Sequence, residues 1–91
     1  MTVQVRVPPL LRSHTGGQRV VDADGSTVEE ILRDLCAHYP GVADALYEED
    51  GQLRRFVNLY VNDEDIRYLA QTDTPVQDGD TVAILPALAG G

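Results

Sequence analysis

Residues 28–36 have the apolar spacing of one amphipathic helix, and this limits how the rest of the chain can fold. The helix is predicted to begin in Ser26-Thr27-Val28-Glu29, a capping box in which the Ser26 hydroxyl accepts from the Glu29 amide. It is predicted to end at Tyr39-Pro40-Gly41. The apolar side chains recur at helical spacing: Val28, Ile31, Leu32, Leu35 and Cys36. Such a stripe must be buried against another element, because a helix cannot cover its own apolar face.

The segments that could cover this stripe alternate apolar and polar residues, as strands with one buried face do. Val3, Val5 and Val7 form the first, and residues 18–21 predict a short second strand of the same hairpin. A polar break is expected over residues 22–25.

Further strands are predicted after the helix. Residues 56–62 form one with Val57, Leu59 and Val61 on a single face, and residues 66–69 form a short one. Asp78-Gly79-Asp80 is a tight-turn signal before the last strand, in which Val82 and Ile84 face inward and Leu85 faces outward.

One main helix and a mixed sheet predict a two-layer α+β roll of the β-grasp (ubiquitin-like) type. In it the first and last strands are central, parallel neighbours, and the helix packs across them. Residues 1–86 are expected to form this domain, and residues 87–91 a flexible C-terminal tail. A charge at Leu32 or Leu35 should unfold so small a domain.

The tail is unusual in composition. Pro86 ends the last strand, because proline cannot donate to a sheet ladder. No charged side chain follows Asp80, and the chain closes on Gly90-Gly91. Glycine has no Cβ, so such an arm can thread a narrow channel in another protein. The Gly91 carboxylate can also be activated without racemising its α-carbon.

Composition excludes several classes of partner. The chain has 15 acidic residues against seven arginines and no lysine, a net charge of -8. Phosphate neutralisation dominates binding to nucleic acids and to anionic membranes, so neither is expected as a partner. One cysteine rules out an internal disulfide. We predict a soluble, cytoplasmic protein.

Residues that could perform catalysis are few. His14 and His38 have no nucleophile near them in sequence, and Cys36 lies on the apolar stripe, where a buried, inert thiol is expected. Asp63-Glu64-Asp65 lacks the spacing of a calcium loop, so no metal site is predicted. The chain is therefore expected to be no enzyme, and any activation of its tail must come from a partner.

The residues of the last strand and tail resemble those of the ubiquitin-like sulfur carriers of the ThiS/MoaD family. Within it the chain is most similar to the carriers that serve cysteine biosynthesis in actinobacteria. The resemblance runs nearly end to end and is carried by three stretches, residues 11–18, 55–67 and 84–91.

The resemblance implies that Gly91 is adenylated by a MoeZ-like enzyme and converted to a thiocarboxylate. The sulfur would then attack an aminoacrylate on the pyridoxal phosphate of a CysM-like cysteine synthase, and a zinc metallopeptidase would release the cysteine. ATP, pyridoxal phosphate and zinc would belong to these partners and not to the chain. The segment that threads into their active sites would be Leu88, Ala89, Gly90 and Gly91.

Strand alternation also predicts a surface for those partners. Phe56 and Tyr60 should face outward if Val57, Leu59 and Val61 face the helix. Phe56, Tyr60, Leu85 and Leu88 are therefore a hypothetical docking patch, with ordinary scattered surface apolarity as the alternative.

Three other functions are compatible with the residues. The same carrier could supply a ThiG-like thiazole or thiosugar synthase, or a molybdopterin synthase. It could be a ubiquitin-like binding module whose diglycine is never activated. It could also be a modifier that is joined to lysines of other proteins.

Overall fold

The computed structural model describes residues 1–54 and 57–86. Its strands and α-helices are β1 Thr2–Arg6, β2 Val20–Asp24, α1 Val28–His38, α2 Pro40–Leu46, β3 Val57–Val61, β4 Glu64–Asp65 and β5 Thr81–Pro86. Three 3₁₀ helices connect them, at Pro9–Thr15, Ile66–Tyr68 and Gln71–Asp73.

The described strands form one mixed sheet in the order β2-β1-β5-β3-β4. The first and last strands are parallel neighbours at its centre, with Val5 opposite Val82. β2 pairs antiparallel with β1, and β3 pairs antiparallel with β5. The predicted β-grasp arrangement is confirmed.

The core lies between this sheet and the two helices. The predicted stripe of α1 supplies four buried side chains, and the inward residues of the strands meet them. The largest fully buried side chains include Ile31, Leu32, Leu35, Leu46, Leu59 and Ile84. Each stabilises the fold by about 1.5–3 kcal/mol relative to an exposed position, so a domain of this size depends on every one.

The predicted polar break at residues 22–25 is wrong, because residues 22–24 continue β2. Thr2 lies opposite Asp24 in the register with β1. Val21 and Ala23 face the core, whereas Asp22 and Asp24 face outward on this edge strand. Polar residues on one face of an edge strand satisfy the pattern of a half-buried strand equally well.

The predicted cap of α1 is displaced by one residue. Thr27 and not Ser26 is the N-cap, and its side-chain oxygen accepts from the Glu30 amide at 3.2 Å. The Glu30 carboxylate, and not that of Glu29, accepts from the amide and the hydroxyl of Ser26, both at 2.8 Å. These bonds lower the pKa of Glu30, the Ser26 amide first and the Ser26 hydroxyl second.

The predicted strand at residues 66–69 is also wrong. The short strand is Glu64–Asp65, which pairs with β3, and Ile66–Tyr68 is a 3₁₀ helix. The Asp65 carboxylate accepts from the Arg67 amide at 2.9 Å and caps this turn. Only Ile66 of the three is buried, so the segment has no alternating face to present to a sheet.

Candidate functional site

The end of β5 is the point from which the predicted working segment leaves the domain. β5 lies between β1 and β3, with Val57 opposite Pro86 at its last residue. Val82 and Ile84 are 0% and 1% exposed and anchor the strand in the core. Pairing with β1 as far as Ala83, pairing with β3 as far as Pro86 and burial of one face therefore set the direction in which the chain leaves the sheet.

The beginning of β5 is held by a polar network. Gly79 in the preceding turn has φ 87°, a conformation that favours glycine. The Asp80 carboxylate accepts from Asn62 Nδ2 at 3.0 Å and from the Gln77 amide at 2.8 Å. These two bonds, that of Asn62 first, lower the pKa of Asp80. Asn62 in turn accepts from the Thr81 amide at 3.0 Å and ties β5 to the end of β3.

The predicted tail residues Leu88, Ala89, Gly90 and Gly91 lie outside the described residues. So does Phe56 of the predicted docking patch. Their roles stay predictions, and the division of the chain at residue 86 stays one as well.

The two patch residues that are described, Tyr60 and Leu85, share the outer face of the sheet as the alternation predicted. Tyr60 lies opposite Ala83, which is two residues before Leu85 and therefore on the same face of β5. Leu85 is 50% exposed. Both line an open hollow of about 480 Å³ beside the end of β5. We call it the outer hollow.

The outer hollow has further lining residues that the prediction missed. Arg6 projects into it from β1, next to Ala83 in the parallel register, and Pro8, Pro9 and Arg12 follow from the first connection. The alternation of Arg6 with Val5 and Val7 was the signal for its outward position. Nothing in the sequence indicated that the Pro9–Thr15 turn brings Arg12 back to the sheet, where its Nε donates to Val7 O at 3.2 Å.

Cys36 is half-buried and not fully buried as predicted, since it lies at the margin of the apolar stripe. Partial burial raises the pKa of its thiol. A thiol with a raised pKa is a poor nucleophile near neutral pH, which agrees with the expected inert role.

The two histidines are exposed. His38 Nδ1 lies 2.9 Å from Asp34 O on its own helix, and His14 lies against Gly41 at the start of α2. Within residues 1–54 and 57–86, no cluster of three metal-ligating side chains occurs. The same ranges contain no helix with the length and apolarity to cross a bilayer.

Comparisons with known proteins agree with this geometry. The family model of the ThiS family matches residues 5–91. The sulfur carrier protein CysO of Mycobacterium tuberculosis is 50% identical over the full length of both chains. Small archaeal modifier protein 3 of Haloferax volcanii is 40% identical over 75% of this chain and 73% of its own.

A solved structure with the same fold is that of CysO from Amycolatopsis orientalis in complex with BexX. It is similar with a TM-score of 0.88 and 48% identity, covering 98% of this chain and 99% of the other. Sequence and fold thus agree along almost the whole length, and the chain belongs to the ThiS family.

Proposed function

We propose that this protein is a sulfur carrier whose Gly91 carboxylate is converted by a partner to a thiocarboxylate, which donates sulfur in cysteine biosynthesis. One observation carries the proposal. The family match extends through residue 91, and the full-length identity is to a protein named as the sulfur carrier CysO.

The geometry of β5 supports a carrier role. The strand is paired on both edges up to Ala83 and with β3 up to Pro86, and residues 87–91 follow it. At about 3.4 Å per residue they can extend about 17 Å beyond the domain, enough to reach into an active site. The domain would then serve as a handle and the tail as the reactive arm.

The proposed chemistry divides between the chain and its partners. A MoeZ-like enzyme would join the carboxylate to AMP from ATP with loss of pyrophosphate, and a sulfur donor would then displace AMP. A CysM-like synthase with pyridoxal phosphate would accept the sulfur, and a zinc metallopeptidase would release cysteine. The chain contributes binding and delivery in what we expect to be the cytoplasm.

Docking of these partners is proposed at the outer hollow, next to the exit of the tail. Tyr60 and Leu85 supply apolar surface there. An aromatic and a leucine beside a hollow are the kind of side chains that anchor protein interfaces. Phe56 and Leu88 are proposed to extend the same surface.

A further partner is supported by one comparison. The similar carrier from Amycolatopsis orientalis forms a complex with BexX, so a chain of this fold can have such a partner. The alternative acceptors for the present chain remain a ThiG-like synthase, making a thiazole or thiosugar, and a molybdopterin synthase.

The likeness to a small archaeal modifier protein keeps the modifier alternative open. A modifier would end with Gly91 bonded to a lysine of another protein. A binding module with an inactive tail would instead keep its partner after Gly91 is removed.

The test is the intact mass of the protein after incubation with ATP, a sulfur donor and a purified MoeZ-like enzyme. We expect the mass change for replacement of one oxygen by sulfur. Adding a CysM-like synthase and phosphoserine or acetylserine should then give the mass of a cysteine adduct. A mass shift without the cysteine step would favour the alternative acceptors.

Two tail variants are matched controls. Deleting Gly91 removes the proposed reactive residue, and appending one alanine after Gly91 keeps the diglycine but moves the carboxylate. Both should abolish the shift while leaving the circular dichroism spectrum unchanged. An unmodified wild-type mass under conditions that modify another carrier would contradict the proposal.

A further inference from the structure

The arginines are distributed very unevenly over this acidic chain. Five of the seven lie at the end of the sheet where β5 terminates: Arg6, Arg12, Arg19, Arg54 and Arg67. We call these five the arginine rim. The other arginines are Arg33 on the exposed side of α1 and Arg55, which lies outside the described residues.

Backbone register and hydrogen bonds place the rim. Arg6 lies opposite Ala83 in β5, and the Val7 amide donates to Arg19 O at 2.8 Å. Arg67 Nη2 donates to the side chain of Asn58, which lies opposite Leu85.

Arg54 closes the rim on the helix side of the sheet. Its guanidinium donates to Asp44 O at 3.0 and 3.3 Å, next to a groove that Val57 and Ile84 also line. The rim therefore surrounds the exit of the chain on several sides.

Carboxylates gather at the opposite end of the same sheet. Thr2 at the start of β1 lies between two of them: its amide donates to the Asp78 carboxylate, and its hydroxyl donates to the Asp24 carboxylate. Asp22 lies opposite Gln4, and the backbone oxygen of Asp80 accepts from the Gln4 amide. The charge of the sheet therefore differs between its two ends, and the positive end is the one at which β5 terminates.

Most of the rim charge is not neutralised locally. Arg67 is paired with Asp65 at 2.9 Å, but no described carboxylate forms an ion pair with Arg6, Arg12, Arg19 or Arg54. Asp63 is the one carboxylate among the described residues that line the outer hollow, and Asp44 is the one in the groove beside Arg54. A chain of net charge -8 has therefore kept excess positive charge at its working end.

We infer that the arginine rim docks an acidic protein surface that surrounds the entrance through which a partner admits the tail. The inference rests on the proposed function and adds the chemistry of the partner. A local cluster on an acidic protein suits a compact acidic patch, whereas long polyanions would be repelled by the remaining carboxylates. Complementary charges at an interface rim raise the association rate and fix the orientation of docking.

The experiment measures kcat/KM for adenylation of the carrier by a purified MoeZ-like enzyme, read as pyrophosphate release. The test variant is Arg6→Glu combined with Arg19→Glu, both exposed positions. The control variant combines Arg33→Glu with Ala37→Glu, both exposed on α1, and makes the net charge more negative by three, against four for the rim variant. Ionic strength is varied from about 0.01 to 1 M, over which the Debye length falls from about 30 to 3 Å.

We expect the rim variant to lower kcat/KM about tenfold or more at low salt, with kcat unchanged and the difference shrinking at high salt. The α1 control should stay within about twofold of wild type. Equal losses of kcat/KM in the two variants, or no loss in the rim variant, would overturn this inference but not the proposed function. A wild-type protein that releases no pyrophosphate would overturn the proposed function together with it. Binding of a labelled DNA duplex that depends on the rim would reassign this surface to nucleic acid.

Discussion

Thr27 and Glu30 both stabilise the N-terminus of α1, Thr27 through a neutral hydroxyl and Glu30 through an ionised carboxylate. Their contributions to stability should therefore depend differently on pH. Thr27 is a neutral cap, so Thr27→Ala should cost about 1 kcal/mol of unfolding free energy at every pH. Glu30 acts as a carboxylate near the positive end of the α1 dipole and accepts two bonds from Ser26. Glu30→Gln should therefore destabilise the protein only where a carboxylate would be ionised.

The direction of this pH dependence follows from the lowered pKa of Glu30 in the folded state. The unfolded chain binds the proton at higher pH than the folded chain, so the stabilisation is present above the unfolded pKa of about 4.3 and is lost as pH falls through the folded pKa. Urea unfolding of wild type, Glu30→Gln and Thr27→Ala from pH 7 to pH 3 measures this. A Glu30→Gln difference that persists undiminished at pH 3 would contradict it.

The displaced cap shows what the residue pattern leaves undecided. Ser26 and Thr27 are both favoured N-cap residues, and each has a glutamate three positions later. Tertiary contacts select between them: Thr27 forms a bridge with Pro75, and the Val28 amide donates to Thr74 O at 3.0 Å. These partners lie almost fifty residues away in sequence, so local reasoning could not choose.

Gly25, in the connection from β2 to α1, makes the tightest contact with helix backbone among the glycines that the structure describes. A Cβ at Gly25 would lie 2.9 Å from the Ile31 amide nitrogen and 2.7 Å from Glu30 Cβ. Backbone cannot rotate away, so Gly25→Ala should lower the unfolding free energy by about 1–3 kcal/mol. Thermal or urea denaturation measures the loss.

Gly41 is the matched comparison within an element. The three atoms nearest to a Cβ there all belong to the His14 ring, the first being Nδ1 at 2.5 Å, and His14 is exposed, so its ring has room to turn outward. Alanine also has the better helix propensity, by about 1 kcal/mol. Gly41→Ala should therefore cost less than Gly25→Ala, and His14→Ala with Gly41→Ala should be at least as stable as wild type. A larger loss of stability for Gly41→Ala than for Gly25→Ala would contradict this, and would show that the start of α2 shifts instead of the His14 ring.

Elements with a clear period were predictable, and short polar ones were not. The 3.6-residue stripe of α1 and the two-residue alternation of β1, β3 and β5 each left one arrangement that turns a single apolar face toward the core. By contrast, residues 64–69 contain one core side chain, Ile66. Their conformation is set by the hydrogen bonds of the Asp65 carboxylate, which the spacing of apolar residues does not reveal.

At the scale of the whole molecule, topology followed from the sequence but the charge layout did not. One helix between two hairpin-like pairs is enough to place β1 beside β5. The outward positions of Tyr60, Leu85 and Arg6 follow from the same alternation. Arg12, Arg54 and Arg67 belong to turns and connections, so their convergence on the end of β5 became visible only in the folded chain.

The docking proposal makes a prediction that compares two exposed leucines at opposite ends of the molecule. Leu85 is 50% exposed at the tail end of the outer face, and Leu69 is 39% exposed in a hollow that Asn62 and Asp80 line at the other end. Truncating either should change stability little, because neither is in the core. If partners dock around the tail exit, Leu85→Ala should raise KM for the adenylating enzyme about tenfold, the loss of about 1.4 kcal/mol that one interface anchor supplies, while Leu69→Ala leaves KM unchanged. Equal KM values for the two variants would leave Leu85 as scattered surface apolarity, and docking would then depend on charge and tail alone.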